Sequence, residues 1–178
     1  MSLAFSRPLR IDQLPSRLSR HRIEADPAER AALARRFDLA ALESLKAEFE
    51  IAAPTAAGLV RLRGRLTADL TQTCGVTLVP LPVQIEAPFA LAFAPVSDKE
   101  ADAVEELDLS WNEEDPPDPI EQGQIDLGEL VAEQLALALD PFPRAPGAEF
   151  TPPELPEPEP APKASPFSAL AALRQKMG

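Results

Sequence analysis

Residues 123–144, GQIDLGELVAEQLALALDPFPR, carry the start signal, the apolar face and the stop signal of a single helix. Asp126 can cap the free amides of the first turn, Glu129 stands three residues on as in a capping box, and Ile125 and Leu130 take the two ends of a hydrophobic staple. The ring of Pro141 disfavours helical backbone at Asp140, so the spacing predicts a stop near Leu139. At about 100° per residue, Leu127, Leu130, Val131, Leu135, Leu137, Ala138 and Leu139 cover more than half the circumference, leaving Glu129, Ala132, Glu133 and Ala136 facing water. Each large apolar side chain buried is worth roughly 1.5–3 kcal/mol, so this helix can supply much of a small domain's core by lying on a sheet.

The strands of that sheet lie upstream. From Val60 to Leu78 the even positions are mostly apolar (Val60, Leu62, Leu66, Ala68, Leu70, Val76), while the odd ones hold Arg61, Arg63, Arg65, Thr67, Asp69 and three threonines, the period of a half-buried strand. The run exceeds the usual 3–10 residues of a strand, which predicts a bend near Gly75. After Pro80 and Pro82 the alternation resumes in the other parity through Val83, Ile85, Phe89 and Phe93, predicting an antiparallel hairpin that turns at residues 79–82. Leu45, Ala47, Phe49 and Ile51 alternate with Lys46, Glu48 and Glu50 as another strand. Asp26-Pro27-Ala28-Glu29 reads as a second helix start, residues 3–11 as an edge strand, and residues 14–24 receive no assignment. A short strand is expected at Leu107–Leu109–Trp111 within the acidic stretch 97–119.

Residues 149–163 alternate proline with glutamate, a composition that cannot build a core; in polyproline geometry they would span roughly 45 Å. Ser165-Pro166 then opens a short helix with Phe167, Leu170 and Leu173 on one stripe, too short to be stable alone in water. It reads as a docking motif on a tether, or as an end packed on its own domain. The expected architecture is therefore α+β: a curved antiparallel sheet packed by one main helix over residues 1–148, a disordered acidic tether over 149–163, and a C-terminal helix over 164–178.

Charge divides the chain. Residues 1–75 hold 12 Lys+Arg against 9 Asp+Glu, residues 76–160 hold 2 against 20, and residues 161–178 hold 3 against none, giving +3, −18 and +3. Contact with nucleic acid must then be local and basic. The lone cysteine, Cys74, excludes an internal disulfide, and the lone histidine, His21, excludes most histidine metal sites. With no glycine-rich phosphate loop, HExxH, paired CxxC or GxSxG, the sequence predicts a non-enzymatic protein without a cofactor. No apolar run reaches the ~18 residues of a membrane span, and a cytoplasmic location is expected.

Arg61, Arg63 and Arg65 are the candidate ligand-binding residues. Alternate strand residues point the same way about 6.6 Å apart, close to the spacing of successive backbone phosphates, and the guanidinium fork suits that ligand. The competing reading pairs them with glutamates such as Glu48 and Glu50 across a hairpin. Gln72 and Cys74 interrupt the inward face, and a buried amide bonded to backbone explains the first more simply than a ligand site.

Three motifs in order resemble the YceD family of large-ribosomal-RNA accumulation proteins: QTCGVTLVP at 72–80 closing a strand, IDLGELVAEQL at 125–135 leading to DPFPR at 140–144, and SPFSALAAL at 165–173. The resemblance implies a non-enzymatic cytoplasmic factor supporting 23S ribosomal RNA accumulation and large-subunit assembly, with ribosomal RNA, a large-subunit ribosomal protein, or both as partners and no membrane or small-molecule substrate. Arg61, Arg63 and Arg65 would then meet RNA, and Phe167, Leu170 and Leu173 a protein. The alternative is an acidic adaptor holding a basic ribosomal protein through residues 100–118 without touching RNA. Many relatives carry Cys-x-x-Cys here and a further cysteine after the main helix; Thr77 stands at the second position and residues 143–150 contain none, so a zinc or redox role does not carry over.

Overall fold

The computed structural model describes residues 4–95 and 116–150, whose elements fall in the unit Met1–Ala148. In chain order these are β1 (Pro8–Arg10), a 3-10 turn (Ile11–Gln13), β2 (Ser19–Glu24), α1 (Pro27–Arg36), β3 (Ala41–Ile51), β4 (Val60–Thr73), β5 (Pro80–Pro95), β6 (Asp118–Ile120), β7 (Gln124–Asp126) and α2 (Leu127–Ala138). The class is mixed α+β: a five-stranded sheet ordered β2-β3-β4-β5-β6, a two-stranded β1-β7 pair and two helices. Strands β2 to β5 form an antiparallel meander. β6 joins β5 in parallel, which corrects the all-antiparallel expectation, because residues 96–117 give a connection long enough to return the chain in the same direction. The second helix expected at Asp26 forms as α1 and joins the main helix in packing, since its Leu33 lies in the same core as α2.

Asp126 caps α2 through its side chain, which accepts from the amides of Gly128 and Glu129. Glu129 does not reach back to close a capping box; its carboxylate is held by both guanidinium nitrogens of Arg36, at 2.7 and 3.0 Å. The complete box occurs at α1 instead, between Asp26 and Glu29, with Pro27 at the first position. The helix ends at Ala138 and Leu139 is in extended backbone, at the stop expected from the restriction Pro141 places on Asp140. Two positions are reversed from the helical-wheel expectation: Ala132 is fully enclosed and Leu137 is 74% exposed. The cause is the N-terminal segment, whose Phe5 backbone lies so close that a Cβ on Gly128 would sit 2.7 Å from the Phe5 carbonyl oxygen. That segment covers the Gly128–Ala132 side and turns the Leu137 side outward.

The Val60 alternation forms a 14-residue strand, Val60–Thr73, and the chain leaves it to turn at Gly75, where the break in the run was expected. The bulge falls on β3 between Leu42 and Ser44, and the β4–β5 turn occupies residues 74–79 rather than 79–82. Pro80, Pro82 and Pro88 lie inside β5, opposite Thr73, Thr71 and Arg65. They share one parity, so the amides they lack are those facing away from β4, where β6 covers only residues 93–95. The unassigned stretch supplies edge strand β2. The expected strand at Leu107–Trp111, the 149–163 tether beyond Phe150 and the C-terminal helix with Phe167, Leu170 and Leu173 lie outside the described residues.

Candidate nucleic-acid interface

One face of the sheet is packed and the other is polar. Along β4, Arg61, Arg63 and Arg65 are exposed while Val60, Leu62 and Leu66 are buried. The register carries the pattern across strands: Arg20, Glu50 and Arg63 form one row, and Arg22, Glu48 and Arg65 the next. Neighbouring strands are about 4.8 Å apart and alternate residues along a strand about 6.6 Å, so five guanidiniums share a patch three strands wide, with β2 and β4 flanking Glu48 and Glu50 of β3. A groove of about 640 Å³ opens there, lined by Arg20, Arg22, Glu48, Glu50, Arg63 and Arg65 among others.

The glutamates proposed as partners for the β4 arginines are taken by β2: Arg20 holds Glu50 at 2.9 Å and Arg22 lies 3.8 Å from Glu48. Arg65 pairs with Glu86 of β5. Among the described residues, Arg61 and Arg63 form no salt bridge. The register puts only Pro88, Ala90 and Ala92 opposite Arg65, Arg63 and Arg61 on β5, so no carboxylate of that strand directly faces the latter two. Arg20 and Arg22 were missed in the sequence reading; the period-2 alternation of SRHRIE at 19–24 was the signal that could have found them. The ring of His21 has the opposite parity, half-buried, with Nε2 3.2 Å from Ser19 Oγ. None of the described residues on the polar face of β2 to β5 is aromatic, which leaves guanidinium–phosphate contact as its chemistry rather than base stacking.

At the far end of β4 the inward polar residues form a clasp. Gln72 donates from Nε2 to the Asp140 carbonyl at 2.9 Å, Gly75 N–H donates to the Pro143 carbonyl at 2.9 Å, and the buried Cys74 sulfur accepts from the amides of Ala145 at 3.2 Å and Thr77 at 3.4 Å. These bonds tie the β4–β5 turn to the exit of α2.

An α+β domain with an open arginine face and a clasped helix exit is the class that fold and site define. Residues 62–174 match the family described as Large ribosomal RNA subunit accumulation protein YceD, and the chain belongs to that family. Its name carries a role in the accumulation of large-subunit ribosomal RNA. The match takes in Arg63, Arg65, the Cys74 clasp and α2, whereas Arg20, Arg22 and Arg61 precede it. No curated protein and no solved structure matches the chain. No helix among the described residues is long and apolar enough to cross a membrane.

Proposed function

We propose that this chain is a non-enzymatic cytoplasmic factor that supports 23S ribosomal RNA accumulation by gripping ribosomal RNA through the polar face of its sheet. Arg61, Arg63 and Arg65 make the phosphate contact, joined by Arg20 and Arg22. The observation that carries this reading is the presence of two exposed arginines, Arg61 and Arg63, that form no salt bridge among the described residues, inside a five-arginine patch. With no aromatic among the described residues of that face, the contact reads backbone geometry rather than base sequence, so it suits a folded RNA whose phosphates converge. Replacing Arg61, Arg63 and Arg65 with glutamate weakens binding to 23S fragments; unchanged affinity at fixed salt removes the proposal. In that event the acidic adaptor reading stands, supported by the −18 of residues 76–160.

A further inference from the structure

A second groove, of about 450 Å³, lies on another part of the domain between α2 and the β5–β6 edge. Its floor is apolar: Leu91, Phe93, Ile125 and Leu130 line it. Five carboxylates, of Asp118, Glu121, Asp126, Glu129 and Glu133, line it beside the neutral Pro119, Gln122 and Gln124, and among the described residues no lysine, arginine or histidine belongs to it. Two of the five have work already. Asp126 caps α2, which also satisfies the positive end of that helix, and Glu129 holds Arg36. Asp118, Glu121 and Glu133 are exposed and form no salt bridge among the described residues. The sequence that joins the two strands of this rim, residues 96–117, carries nine carboxylates against one lysine.

We infer that this groove docks a lysine- and arginine-rich protein segment with apolar residues spaced along one side, the apolar residues on the floor and the cations against Asp118, Glu121 and Glu133. An apolar floor with a one-sign rim fits such a segment better than it fits nucleic acid, which the rim repels. The docking surface is independent of the arginine face, and together they let one molecule hold a basic protein and RNA at once.

The test uses the full chain and a synthetic peptide in which lysines and leucines recur at helical spacing. Asp118→Asn, Glu121→Gln and Glu133→Gln combined weaken peptide binding about tenfold, with RNA affinity retained because the arginine face is untouched. Backbone amide shifts on titration fall on Leu91, Phe93, Ile125 and Leu130. Equal affinity of the triple variant, shifts confined to other regions, or equal binding of a lysine peptide without leucines overturns the inference.

Discussion

Asp126 concentrates more of the fold than any other single carboxylate described. Its Oδ1 accepts from the amides of Arg7 at 2.7 Å, Gly128 at 2.9 Å and Glu129 at 3.2 Å, and its Oδ2 from the Ser6 hydroxyl at 2.5 Å. Burial alone would raise its pKa, but the donors together outweigh that and lower it. A lowered carboxylate contributes stability that is present above the unfolded value near ~3.9 and lost as pH falls through the folded one. Asp126→Ala should therefore cost about 2 kcal/mol, read by urea unfolding at neutral pH, and Asp126→Asn should flatten the acid limb of the stability curve. Cys74 follows the same sign at higher pH. The Thr77 side chain, then the amides of Thr77 and Ala145, draw its thiol down to about 6 against the effect of burial. Its contribution is full above the unfolded value near ~8.5 and declines as pH falls through the folded one. Thiolate absorbance at 240 nm should titrate in the folded protein near the lower value and move to the higher one in urea.

At the scale of elements, packing on β4 depends on a missing side chain. Gly64 faces Phe49 on β3 and Phe89 on β5, whose rings meet edge-on at 5.8 Å. A Cβ at Gly64 would lie 2.3 Å from Phe89 Cζ, so the Phe89 ring occupies the room glycine leaves. Gly64→Ala should destabilise by about 1–3 kcal/mol, and adding Phe89→Leu should recover part of that loss, a non-additivity visible in thermal unfolding of the three variants. On α2 the tertiary contacts, not the helical wheel, set the cost of truncation. Leu135→Ala should cost about 2–5 kcal/mol, while Leu137→Ala should stay within about 0.5 kcal/mol. The prolines of β5 act at this scale too: along the stretch β6 does not cover, they remove donors that would invite another strand.

For the whole molecule the decisive property is the distribution of charge, a cluster of five arginines interleaved with glutamates on the sheet and a strongly acidic segment over residues 76–160. Affinity for RNA should fall linearly in log–log with salt, by roughly 0.7–0.9 per phosphate engaged. Arg61→Gln with Arg63→Gln should reduce that slope by about 1.5 and leave Tm nearly unchanged, because exposed groups without salt bridges contribute little to folding. The same substitution should leave binding of the lysine–leucine peptide intact.

Much of this was legible along the chain, because periodicity, capping and proline stops are local. The cap at Asp126, the stop at Leu139, the start at Asp26 and the exposed parity of Arg61, Arg63 and Arg65 all follow from neighbours within a few residues, and so does the family resemblance carried by short motifs. Tertiary structure alone decided what depends on partners distant in sequence. The Phe5 backbone against Gly128 chose which side of α2 is buried, the return of β6 made the sheet mixed, and the β2 register brought Arg20 and Arg22 onto Glu50 and Glu48. Among the described residues Arg61 and Arg63 form no salt bridge, because Glu50, which lies opposite Arg63, is held from the other side by Arg20, and β5 sets only Ala92 against Arg61.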